Sequence, residues 1–244
     1  MRCRIPQSSP LEFFLFYHIG ERSTRHNKLL FPVVLPENDP HVFSRLAHAK
    51  ENKLERQAAV LTDWFWYFMF YSFLGFLLEV AFARVTHNPK RDRKCFYFLP
   101  LCPVYGLGAL LILAPAPLLS RHIVLLALWS AFAATTAEYL MSLLYETFLH
   151  VSFWDYSHLP FQIHGRVCLL FSLFWCGLGL LLVYGVQPLV AEIVSSIPGW
   201  LTLPTALFLG LDAVFTVYVL RRDRTTDALL WYRGLTYRHG EDRT

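Results

Sequence analysis

Four carboxylates stand where carboxylates are costly to keep. Glu79, Glu138, Glu146 and Asp212 are the only formal charges inside five apolar blocks of the chain. A charge deep in a membrane costs several kcal/mol, so such groups face the protein interior and mark proton, ion or substrate pathways. Glu138, Ser142 and Glu146 recur at i, i+4 and i+8, which aligns them along one face of a helix. Ser72, Gly75 and Glu79 form a similar stripe, and Thr205, Asp212 and Thr216 a looser one. At 1.5 Å per residue, Glu146 lies about 3 Å and Glu79 about 6 Å from the same end of their blocks, with Asp212 about 12 Å and Glu138 about 15 Å in. Two chemistries fit three polar stripes in one leaflet. One is a water-accessible vestibule in which a carboxylate exchanges a proton or meets a substrate. The other is a packing seam closed by hydrogen bonds and an ion pair.

The elements that must position these acids follow from length. The blocks are Trp64–Ala83, Leu101–Leu119, Ile123–Phe148, Val167–Ala191 and Gly199–Leu220, of 20, 19, 26, 25 and 22 residues. About 20 apolar residues cross the hydrocarbon core as a helix. An open sheet would leave its backbone unsatisfied there, so the fold class is all-α, a polytopic bundle of about five transmembrane helices. The blocks hold 112 of the 244 residues but four of the 40 charges, which excludes an ordinary soluble domain. Pro103, Gly106, Gly108, Pro115 and Pro117 predict a kinked or broken second span. Trp64, Trp66, Tyr67 and Trp200 have the amphipathic rings that anchor span ends at the interface.

Three regions result: a polar N-terminal tail over 1–63, the helical domain over 64–220 and a basic C-terminal tail over 221–244. The tail's apolar run Leu11–Ile19 is too short to span, and Pro32, Pro36 and Pro40 break the next segment into extended pieces. The tail reads either as a flexible extension or as sequence upstream of the true start. The side of the membrane bearing the first loop, the third loop and the C-terminus carries twelve Lys and Arg. The other side has five: Arg121 and the four nearest the first span in the tail. That bias predicts a multi-pass protein of the cell membrane with the N-terminus outside and the C-terminus in the cytoplasm. The net charge of +4 then reflects loops lying against anionic headgroups rather than nucleic acid, since no basic stripe with stacking aromatics is present.

Other chemistries lack their signatures. Glu146, His150, Asp155, His158 and His164 are potential ligands, but without an HExxH or comparable pair no metal is expected. The five cysteines form no CxxC and read as small apolar packing residues. No G-x-S-x-G, Walker or G-x-G-x-x-G pattern occurs, so neither a catalytic residue nor a nucleotide cofactor is assigned.

The specific text lies in and around the two long loops, Arg84–Pro100 and Leu149–Arg166. Ser72 to Glu79 ends the first span, and Phe96-Tyr-Phe-Leu-Pro-Leu-Cys-Pro-Val-Tyr-Gly-Leu-Gly108 opens the second. Glu138-Tyr139 and Ser142 come next, then Trp154, Asp155, Tyr156, Ser157, Pro160, Phe161, Gly165-Arg166 and Cys168 to Trp175. Over about residues 64–190 this series resembles the ABC-transporter permease family of small bacterial membrane proteins. Cys95 and Leu99 stand where that family usually has glycine, and Gln162 where it has asparagine. The resemblance implies a permease component of unassigned substrate, working with a separate ATPase subunit because no ATP-binding motif is present. Five spans are few for a permease, which implies a homo-oligomer. An intramembrane enzyme acting on a lipid and a non-catalytic scaffold are the alternatives. Asp155 is positioned to close an Asx-type turn. Arg166, a permanent cation at the mouth of the fourth span, is the natural partner of Glu138 or Glu146, or of an anionic substrate or lipid phosphate.

Overall fold

A computed structural model of the chain describes residues 40–87 and 94–230. Lys90, Arg91, Arg93, the C-terminal arginines beyond Arg224 and most of the N-terminal tail lie outside the described residues. The chain divides into two units, Met1–Asp63 and Trp64–Thr244. Within the first, residues 40–63 are helical. In the order of the chain the helices are α1 (Pro40–Val85), α2 (Pro103–Leu113), α3 (Ala116–Leu119), α4 (Ile123–Leu144), α5 (Leu169–Leu181), α6 (Gln187–Ser195) and α7 (Thr202–Asp223). A π-helical turn, Tyr145–Leu149, extends α4, and a second, Leu182–Val186, joins α5 to α6. Two-residue strands, β1 (Gln162–Ile163) and β2 (Val167–Cys168), pair antiparallel in the loop before α5.

Among the described residues four segments are long and apolar enough to cross a membrane: Lys53–Val85, Ile123–Leu149, Leu169–Ser195 and Gly199–Asp223. The second expected span differs. It is split into α2 and α3, and α2 is only 11 residues long. Proline explains the split. Pro115 has no N–H to give the carbonyl four residues earlier, and its ring would clash there. That carbonyl, on Leu111, instead accepts the indole N–H of Trp129 from α4 at 3.0 Å, so a neighbouring helix satisfies the freed group. Pro103 opens α2, where its missing N–H leaves no unmet donor. Pro188, the second residue of α6, follows the second π-turn, whose wider ring absorbs the break between α5 and α6.

Lipid tails are as apolar as leucine, so helices associate through close packing rather than apolar burial. Small residues supply it. A Cβ on Gly179 of α5 would overlap the Ser130 side chain of α4, and one on Gly106 of α2 would overlap Ser72 of α1. Thr135 donates to Ser172 across the α4–α5 seam at 2.8 Å. At one end of the bundle Tyr71, Ala109, Leu113, Val190 and Val194 bring α1, α2 and α6 together, and Tyr71 donates to Gln187 at 2.6 Å. At the other end Tyr145, Leu149, Val151, Leu220 and Leu229 bury α7 against the first π-turn. The outward faces are apolar, with Leu203, Leu207, Leu211 and Val214 of α7 exposed as a lipid-facing helix requires.

Candidate functional site

The stripe on α4 meets two neighbouring elements at Glu138. This side chain is 5% exposed. Its Oε1 accepts the Tyr156 hydroxyl at 2.8 Å, and its Oε2 accepts the Trp175 indole N–H from α5 at 3.3 Å. Trp175 packs edge-on to Tyr105 of α2, with ring centroids 5.3 Å apart. Tyr105 in turn donates to Glu79 of α1 at 2.7 Å. Glycine makes that reach available, because a Cβ on Gly75 would overlap the Tyr105 ring. Two carboxylates, each holding a phenol, are thus joined through one indole across α1, α2, α4, α5 and the loop. Tyr156 also stacks on Phe171 at 4.8 Å. Burial, with the Glu138 and Glu79 carboxylates nearby, pushes the Tyr156 phenol well above its usual range, so it stays a neutral donor.

Arg166 chooses between its two candidate partners. Its Nε lies 2.9 Å from Glu146 Oε2, its Nη2 donates to the same oxygen, and Glu138 is not among its partners. The hydrogen bonds to Glu146 raise the guanidinium pKa further. Ser142 Oγ donates to the other Glu146 oxygen at 3.1 Å, so the lower half of the stripe is an ion pair with a hydroxyl support. Glu146 sits in the π-turn, a local widening of the helix that recurs at functional sites.

Asp212 has the character of the packing seam rather than of an open vestibule. It is 1% exposed, and its carboxylate accepts the backbone N–H groups of three successive residues. Tyr97 lies at 3.2 Å, Phe98 at 3.1 and 3.2 Å, and Leu99 at 2.7 Å. Thr216, one turn on, adds a hydroxyl at 3.3 Å and accepts the Tyr97 N–H at 2.9 Å. Such a run of amides is an anion-holding nest, and here the anion is the chain's own. Asp212 shares no hydrogen-bond partner with Glu138 among the described residues. Neither Cys95 nor Leu99 adopts a positive φ, so the close approach needs no glycine at either position. Cys95 and Cys102 flank that stretch with their Sγ atoms 3.9 Å apart, both buried.

The loop motif is built around one tight turn. Asp155 Oδ1 accepts the Ser157 N–H at 2.8 Å and Oδ2 its hydroxyl at 3.0 Å, an Asx turn. These bonds, the backbone one first, hold the Asp155 pKa below its ordinary value. Tyr156 N–H donates to Gly165 O at 2.7 Å, and the Trp154 indole to Arg166 O at 2.9 Å, so the turn is tied to the β1–β2 hairpin. Gly165 has φ +70°, and a Cβ there would stand 2.8 Å from Asp155 Oδ1. Only glycine meets both demands without strain. Gln162 Oε1 accepts the Gly165 N–H at 2.6 Å, which closes the hairpin turn. Pro160 and Phe161 lie exposed before β1, and Phe161 has φ +54°.

Tyr105, Tyr139 and Trp175 join the site although none of them belongs to a polar stripe. All three are aromatic residues with a polar tip, which is the signal that could have found them. The profile of the family described as Putative ABC-transporter type IV matches residues 66–219, which include every side chain of this cluster. No curated protein and no solved structure matches the chain.

Proposed function

The chain belongs to the Putative ABC-transporter type IV family, and from that premise we propose that it is the permease component of a transporter whose pathway passes Glu138. The observation that carries this is the setting of Glu138: an acid 5% exposed, far along α4, whose hydrogen-bond partners are one phenol and one indole. Keeping a charged carboxylate there costs several kcal/mol, and acids retained at such depth mark proton, ion or substrate pathways. Glu79 and Tyr105 extend the polar line toward α1. Asp212 has the role of an anchor that fixes the loop before α2 to α7. The permease lies in the cell membrane with its N-terminus outside and its C-terminus in the cytoplasm, self-associates, and works with a separate ATPase subunit.

The test is complementation of a deletion strain by Glu138→Gln at normal membrane levels. The expected outcome is loss of transport, because Gln can accept the Trp175 indole N–H and donate to a turned Tyr156 hydroxyl but cannot carry charge or exchange a proton. Full complementation would overturn the pathway and leave a scaffold. Reporter fusions after Arg224 and within Arg84–Pro100 should both read cytoplasmic, and two external readings would invert the orientation.

A further inference from the structure

Two thiols face each other at the base of the loop that holds Asp212. Cys95 and Cys102 are 7% and 3% exposed, with their Sγ atoms 3.9 Å apart, in contact but unbonded. The backbone already brings the two ends of this loop together. Cys95 N–H donates to Leu101 O at 3.0 Å, and Cys102 N–H to Ser72 O of α1 at 2.9 Å. A disulfide needs its sulfurs about 2.05 Å apart, so closing the gap asks for rotation of two side chains rather than movement of the chain. The Tyr145 hydroxyl of the first π-turn is hydrogen-bonded to Cys95. What the bond would enclose gives it a consequence. The amides of Tyr97, Phe98 and Leu99 that hold Asp212 all lie between the two cysteines. Tyr97 also packs edge-on against Phe215 of α7, with ring centroids 4.8 Å apart. Whatever restricts residues 95–102 therefore restricts the contact between this loop and α7.

We propose that Cys95 and Cys102 are a redox pair that a hydroperoxide oxidises to an intramolecular disulfide, stapling the loop around Asp212 and so holding α7 to the start of α2. The Cys95 sulfur, the more exposed of the two, attacks a peroxide oxygen. The O–O bond breaks, one water leaves and a sulfenic acid remains on Cys95. The Cys102 sulfur then attacks that sulfur, the S–O bond breaks and a second water leaves. Two thiol protons and two electrons thus pass to hydrogen peroxide, which is reduced to two waters. Burial of both sulfurs favours a small neutral oxidant over a bulky disulfide, because exchange needs access to the attacking sulfur. On the cytoplasmic side proposed above, where thiols are kept reduced, such a bond is transient rather than structural. Nothing in this chemistry depends on the Glu138 pathway.

The experiment treats the purified full chain in nanodiscs with hydrogen peroxide, alkylates the remaining thiols and cleaves with chymotrypsin, which cuts after Tyr97 or Phe98. The peptides carrying Cys95 and Cys102 should stay joined until a reductant is added. In Cys102→Ser the oxidation should stop at a sulfenic acid on Cys95, trapped by dimedone. Oxidised protein should exchange its amide hydrogens at residues 97–99 more slowly than reduced protein. It should also unfold about 5 °C higher, as expected for closing a loop of this size. Dithiothreitol should reverse both effects, and Cys95→Ser should show neither. Should Cys95→Ser misfold, Cys102→Ser supplies the same control. Two freely alkylated thiols after peroxide, a bond to a different cysteine, or unchanged exchange at residues 97–99 in the joined protein would each overturn the proposal.

Discussion

The Tyr156 hydroxyl donates to Glu138 Oε1 at 2.8 Å, which ties the loop before α5 to the acid placed deepest among the charged groups of the spans. Tyr156 is itself held at its backbone by Gly165 O, so the hairpin turn determines where that hydroxyl points. Removing it tests the link without touching the acid. Tyr156→Phe keeps the stack on Phe171 and loses about 0.5–1.5 kcal/mol of net hydrogen bonding. Transport should fall more than thermal stability does, and the double variant with Glu138→Gln should be no worse than Glu138→Gln alone. Additive losses in the double variant would show the two residues acting separately.

Arg166 and Glu146 are 19% and 34% exposed at their side chains, between an open surface pair and a buried one. Open pairs contribute little and breaking a buried one is strongly destabilising. Arg166→Ala should therefore lower the unfolding midpoint by more than loss of an open surface pair and by less than loss of a buried one. Adding Glu146→Gln should restore part of that loss, and adding Glu138→Gln should not. Unfolding of the purified variants in detergent reads both. Recovery with Glu138→Gln would reverse the assignment.

Asp212→Ala takes the acceptor from the part-buried Phe98 and Leu99 amides, at up to about 1–3 kcal/mol for each. Tyr97 keeps Thr216. Asp212→Asn retains a carbonyl oxygen and should cost less. The measurement is the unfolding midpoint, together with faster hydrogen exchange at residues 97–99. If Ala behaves as the parent does, the nest does not hold α7 to the loop.

The Asp155 turn gives a pH dependence of definite sign. Its carboxyl pKa is depressed below the ordinary value near 3.8 by the Ser157 amide and hydroxyl. The stabilisation is therefore fully present above that ordinary value and fades as pH falls through the lower folded value. Exchange of the Ser157 amide, corrected for intrinsic rate, should accelerate over that acid window. Asp155→Asn, which cannot titrate, should remove the acid-induced change. Persistence of the change in Asp155→Asn would assign it to another group.

Some of this architecture is local chemistry and is written in the chain. The apolar blocks are long enough to require helices because lipid offers no partner to a backbone amide, and that demand is met within each segment. Pro115 announces the break after α2 for the same reason: it lacks one donor. The Asx turn at Asp155 closes over two residues, and Arg166 could be seen to need a glutamate. Partner choice was beyond the sequence. Whether Arg166 takes Glu146 or Glu138 depends on which faces of α4 and α5 pack, and the small residues at Ser130 and Gly179 set that. Asp212 finds its partners 113 to 115 positions away, in backbone amides that no side chain advertises. Backbone N–H groups are present at nearly every residue, so a sequence cannot say which three will be left free to meet a carboxylate. Only the packing of α7 against the loop before α2 decides it.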